Sequence, residues 1–251
     1  MVTISHGVTE EFKCQNCGSV INFKTWLIID GNEHPELIEK VKTEEIHDVY
    51  CHVCSWRIDS LDKPLMVFYQ SPDPVLIYCP SEENTAKQDE SIFIAFKTKF
   101  INEFQATYPQ GSLHFPVLHL PRCALSVYLK EGMEAAEKRS RQEELERINS
   151  REEYASIIHQ LIAARSFGEL RNVIVPNYEM ITSFRAVGYI NEFIEGSSGK
   201  EREFLSAKKN ILLDYRYMGF ERTKADLEHY ASLKPAPRKS IFGKLKDLFY
   251  M

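Results

Sequence analysis

The 251-residue sequence contains no apolar run approaching the roughly 20 residues that a membrane-spanning helix requires, which excludes a spanning segment of that kind. Its first residues, MVTISHGVTEEFKC, lack the basic and apolar blocks of a secretory leader, so the expected compartment is a reducing cytoplasm. No phosphate-cradling loop is present either. GSSGK at 196–200 lacks the spacing and the preceding strand of a P-loop and reads as a connection between helices. A nucleophile paired with a base is also missing from the pattern, and the abundant acidic pairs such as Glu44/Glu45 and Glu152/Glu153 read as solvated surface. Positive charge is scarce where a nucleic-acid grip would need it. Residues 1–130 carry 11 Lys/Arg against 17 Asp/Glu, a net −6 within an overall −5, which disfavours phosphate binding by this half.

What the sequence does have is six cysteines, four of them in two CxxC pairs, Cys14/Cys17 and Cys51/Cys54. Two residues between thiols let one tight turn aim both sulfurs at one point, and two such turns complete the tetrahedral sulfur set that zinc prefers. A disulfide framework is the competing reading, but it suits short secreted chains rather than one of this length. The expected cofactor is therefore one structural Zn held by Cys14, Cys17, Cys51 and Cys54, with no coordination position left for water or substrate. Cys79 and Cys123 lie in apolar stretches, VLIYCP and LPRCAL, and are expected to be inert thiols.

Around these pairs the pattern predicts an α+β protein: a zinc-ribbon-like β domain with a helical insertion, followed by an α-helical bundle. The ribbon domain is placed at 1–130. Between Cys17 and Cys51 lie 33 residues, longer than a compact ribbon needs, and HPELIEKVKTEEI within that gap suits a short inserted helix starting near Pro35. Gly18 sits where the turn after the second thiol wants a positive φ. PLMVFYQSPDPVLIYCP reads as two strands joined by a turn at Ser71 to Pro74; in 91–106, Ile92 and Ile94 alternate with phenylalanines as in a strand while Phe93, Phe96, Phe100 and Phe104 follow helical spacing, and the helix with a core face is the favoured of the two. His114 and His119 have no matching ligands nearby and are expected to be structural. A charged linker helix is placed at 131–149, and an α-helical bundle at 150–233. Ser150 with Glu153 is read as a capping box at the first bundle helix, Ser166 with Glu169 as another, and Thr182 as the cap of a third. Gly219 marks the stop of the last long helix. After a proline-rich linker, 234–251 is expected to form a basic amphipathic helix of net +4, with Ile241, Phe242, Leu245, Leu248 and Phe249 on one side, either as a partner- or membrane-contact face or as the inner face of a terminal helix folded back on its own domain.

The cysteine pairs, their 33-residue gap, HPELIEK, Trp26 and the PLMVFYQSPDPVLIYCPSEE segment together resemble the bacterial CpXC domain over about residues 10–130. The sequence departs from that signature in one respect: Gln15 and His52 stand where the family has proline after the leading cysteine. Proline there stiffens the turn but supplies no ligand, so the resemblance still implies zinc binding. Residues 155–228 are similar to helical segments of multidomain bacterial proteins that carry TPR repeats and caspase-like CHAT peptidase domains. That likeness implies an accessory part in a CHAT-peptidase-linked defence or signalling system. The expected function is accordingly that of a cytoplasmic, zinc-stabilised protein–protein interaction or adaptor protein without enzymatic activity, its partner a protein such as a CHAT-type peptidase. The alternative is a protease-regulated effector or substrate whose C-terminal helix binds a membrane surface. A DNA-binding regulator ranks below both, and no small-molecule substrate is indicated.

Overall fold

The computed structural model describes residues 3–14, 16–70, 73–108 and 115–232. The C-terminal contact face (Ile241, Phe242, Leu245, Leu248, Phe249), His114, and Ser71 and Pro72 of the expected turn lie outside the described residues. The chain divides into two compact units, 1–148 and 149–251. Its class is α+β, and among the described residues no helix is long and apolar enough to cross a membrane.

The first unit is built on a five-stranded mixed sheet in the order β1-β2-β5-β6-β7, with strands β1 (His6–Lys13), β2 (Val20–Asp30), β5 (Leu65–Tyr69), β6 (Val75–Cys79) and β7 (Val117–His119). A separate two-stranded ribbon pairs β3 (Asp48–Tyr50) with β4 (Arg57–Ser60). LMVFY and VLIYC are continuous apolar runs because β5 and β6 are covered on both faces. They form the antiparallel pair the sequence predicts, with Leu65 opposite Cys79 and Tyr69 opposite Val75. Their pleat sends Leu65, Val67, Val75, Ile77 and Cys79 to one side, against α1 (Pro35–Lys42) and α3 (Arg122–Glu131). Met66, Phe68, Leu76 and Tyr78 point to the other side, where α2 (Ala86–Thr107) lays down Phe100 and Phe104. Phe68 touches both of those rings, with centroids 5.1 and 5.5 Å away.

The helices of this unit follow local signals. Proline opens α1, whose Leu37, Ile38 and Val41 are buried. α2 begins five residues before the stretch read as helical, because Thr85 and Gln88 form a reciprocal capping box: Gln88 N–H donates to Thr85 Oγ1 and Thr85 N–H to Gln88 Oε1. The parallel connections are the main feature absent from the sequence reading. β2 pairs with β5 in parallel across a crossover that contains α1 and the β3–β4 ribbon, and β6 pairs with β7 in parallel across α2. His119, at the end of β7, packs edge-on to Phe93 at 4.6 Å in a structural role.

α4 (Met133–Ala163) is one 31-residue helix. The capping box read at Ser150 and Glu153 therefore does not start a helix; the segment has no glycine or proline to interrupt the strong helix formers on either side of Ser150. In the second unit, α5 (Phe167–Ile174), α6 (Tyr178–Ile181), α7 (Phe184–Gly196), α8 (Gly199–Met218) and α9 (Phe220–Ser232) pack with the end of α4 around Ile158, Leu161, Leu170, Ile174, Ile181, Ile190, Leu212 and Leu227. Ser166 caps α5 as expected, accepting from Glu169 N–H. Ser183, not Thr182, caps α7: its Oγ accepts from Ala186 N–H, whereas the Thr182 hydroxyl donates back to Tyr178 O at the end of α6. Gly219 stops α8 at a φ of 79°, and the chain enters α9 at once. Buried Lys208 donates to Ala164 O, immediately after the end of α4, and burial pulls its amine down to about 8.

Candidate metal centre

The two cysteine pairs sit in two copies of the same turn. In the first, β1 delivers Cys14 and β2 departs after Ser19; Cys14 N–H donates to Ser19 O and Gly18 N–H to Cys14 O, both at 2.8 Å. In the second, β3 delivers Cys51 and β4 departs after Trp56; Cys51 N–H donates to Trp56 O and Ser55 N–H to Cys51 O, again both at 2.8 Å. The residue after the second cysteine must turn left-handed in each: Gly18 takes φ 74° as expected, and Ser55 takes φ 56°.

These turns bring all four thiols together. Cys14 Sγ lies 3.6 Å from Cys54 Sγ and Cys17 Sγ lies 3.6 Å from Cys51 Sγ, and the four atoms fall within 4.8 Å of one another. Metal–sulfur bonds of about 2.3 Å in a tetrahedron put the sulfurs about 3.8 Å apart, so the set fits a zinc-sized ion. The cysteines are free thiols rather than disulfide partners. Cys14 and Cys51 are buried in a small core with Ile21, Val49 and Leu61, flanked by Phe12 and Phe23, while Cys54 is half-buried and Cys17 exposed.

Surroundings set the thiols apart. Burial pushes the Cys14 thiol up to about 11. Cys17 is pulled down to about 6, first by the Ser19 hydroxyl 3.3 Å away and then by the Ser19 backbone. Cys54 is lowered by the Asn16 side chain and the Trp56 backbone N–H. A divalent ion held by these four residues would supply the positive charge that favours their thiolate forms. The remaining cysteines stand apart from the cluster: burial pushes Cys79 up to about 12 and Cys123 up to about 11.

A residue that spacing does not reveal holds the second turn in place. His47, 1% exposed, immediately precedes β3. Its Nε2 lies 2.7 Å from Trp26 O on β2, and its Nδ1 lies 2.7 Å from an Arg122 Nη1 on α3. Arginine has only donors, so Nδ1 accepts and Nε2–H donates, which fixes the neutral tautomer. Arg122 also donates to Lys63 O, and Leu61 N–H donates to His47 O. Burial, with Arg122 as a second cause, pulls the imidazole down to about 3. The contacts of His47 lie 21 and 75 residues away in sequence, which is why no local pattern points to it.

A family model described as CpXC protein matches residues 12–155, more than half of the chain and inclusive of both turns. The chain belongs to the CpXC family. No curated protein and no solved structure matches it. The CpXC match extends past residue 130, where the residue-level resemblance ends, into α4. Of the two positions where this CpXC chain lacks the signature proline, His52 is exposed and outside the metal-ligand cluster, and Gln15 lies outside the described residues. With four cysteines clustered inside a CpXC domain, the protein is a metal-binding one.

Proposed function

We propose that the metal is a single structural zinc and that the protein works by recognition, as a cytoplasmic adaptor that docks onto another protein. The observation that carries this reading is the closed thiol set: Cys14, Cys17, Cys51 and Cys54 occupy every position of a tetrahedral ion, which leaves none for a reactant. Recognition has a candidate surface on the second turn. Tyr50, Val53 and Trp56 are 50, 60 and 52% exposed on one short hairpin, three large apolar side chains of the kind found at contact sites. The partner we propose is a CHAT-type peptidase of a bacterial defence or signalling system, on the likeness of residues 155–228 to helical segments of such proteins.

Metal analysis of the native preparation tests the first part, with one equivalent of zinc per chain expected. Affinity capture from the native host tests the second. A CHAT-type peptidase is expected to co-purify with the wild type and to be lost from Val53→Asp/Trp56→Ala. A metal-free preparation, or retention on specific DNA in place of a protein partner, would reject the reading.

A further inference from the structure

The cysteine cluster is not uniform in its access to solvent. Cys17 is exposed, Cys54 half-buried, and Cys14 and Cys51 buried. The 3.6 Å contacts are Cys17 with Cys51 and Cys14 with Cys54, each joining one turn to the other. A solute arriving from water therefore meets Cys17 first, and the Cys51 sulfur lies 3.6 Å from it. We infer that the centre is a redox modification site at which a hydroperoxide exchanges the metal for a Cys17–Cys51 disulfide, so that a covalent link takes over the joining of the two turns. This inference rests on the zinc reading above and assigns it a mode of regulation.

The chemistry balances in two steps. The Cys17 thiolate attacks the peroxide: an S–O bond forms, the O–O bond breaks and hydroxide leaves, giving a sulfenic acid. The Cys51 thiolate then attacks the Cys17 sulfur: an S–S bond forms, the S–O bond breaks and a second hydroxide leaves. Two thiolates are oxidised and one peroxide is reduced. Two remaining thiolates, Cys14 and Cys54, are too few for a structural zinc site, so the ion departs. Stronger oxidation closes Cys14 with Cys54 across the same interface. Because both links run between turns, the ribbon stays joined after oxidation, whereas removal of the ion by a chelator leaves it unjoined.

The test uses the full chain loaded with zinc, titrated with hydrogen peroxide, with zinc release read by a chromophoric chelator and the disulfides mapped by peptide mass spectrometry. Release is expected to track the appearance of the Cys17–Cys51 cross-link, and amides of β3 and β4 are expected to stay more protected from exchange in the oxidised protein than in the chelated one. Cys17→His retains a zinc-competent ligand and is expected to slow release at least about tenfold. Cys51→His is expected to stop at a sulfenic acid on Cys17 that dimedone traps. Release from Cys17→His at the wild-type rate, or a first disulfide between Cys14 and Cys17, would overturn the inference. A zinc-loaded chain that keeps its metal through excess peroxide overturns it alone, while a native preparation without metal overturns the zinc reading as well.

Discussion

The two cysteine turns make the same backbone hydrogen bonds but are supported in different ways. The first connects strands of 8 and 11 residues within the five-stranded sheet, and its left-handed position is filled by glycine. The second connects strands of 3 and 4 residues in a ribbon that stands outside that sheet, and its left-handed position is filled by serine. A two-stranded ribbon is marginal in water by itself. The first turn thus inherits its geometry from the sheet, whereas the second draws on the metal, on His47 and on the Arg57–Asp48 ion pair at 2.8 Å. The lesson is that one motif repeated in a sequence need not be equally stable at its two sites.

Removing the metal should break the comparison most severely. A structural zinc contributes about 10–16 kcal/mol of apparent binding free energy, as much as or more than the net stability of a whole domain. Cys51→Ser is expected to lose the ion and unfold the ribbon. Hydrogen exchange should show β3 and β4 amides unprotected and those of β1 and β2 less affected, with the helices of 149–232 retaining their circular dichroism. Unchanged zinc content and unchanged exchange in β3 would refute this.

Next in size is the His47 pin. His47→Ala leaves Nη1 of the half-buried Arg122 without its imidazole acceptor, while the guanidinium keeps Lys63 O, and should cost about 1–3 kcal/mol in urea unfolding. His47→Gln, which can both accept and donate, should recover part of that loss. The same residue predicts a pH dependence. With its folded value near 3 against an ordinary 6.5, His47 binds its proton more readily in the unfolded chain, so its contribution is complete above pH 6.5 and is lost as the pH falls toward 3. The slope attributable to it approaches about 1.4 kcal/mol per pH unit within that window. Cysteine protonation is common to wild type and His47→Gln, so the difference between their stability–pH curves isolates the imidazole, and identical curves would contradict the assignment.

The smallest predictions sharpen the likeness itself. Ser55→Gly relieves a left-handed backbone position and should stabilise by about 0.5–1 kcal/mol, while Gly18→Ala should destabilise by about 1 kcal/mol. No heavy atom lies within 4 Å of a side chain built at Gly18, so the cost there is one of backbone alone. Thermal midpoints of the zinc-loaded proteins check both signs.

These contrasts also mark how far the fold could be read from residues. Cysteine spacing, the proline that opens α1 and the apolar runs of β5 and β6 are local signals, and each led to the element observed. The order of strands in the sheet was not legible, because pairing β2 with β5 in parallel depends on what the intervening 34 residues do in three dimensions. Ser150 misled because a capping pattern only caps where the preceding chain leaves the helix, and the residues before it do not. His47 went unseen for a related reason: its role is defined by Trp26 and Arg122, which reach it only once β2 and α3 are in place.

The crossover between β2 and β5 bears on the order of assembly. Cys17 precedes β2 and Cys51 lies inside the crossover, so an ion captured by both turns draws the intervening chain into a loop before β5 has found its neighbour. Shortening the free segment lowers the entropy lost when the parallel pair closes, and such long-range pairings are the slow events of refolding. The refolding rate of residues 1–148 should therefore rise with free zinc, with the ion acting as a template for the sheet as well as a clamp on the finished ribbon.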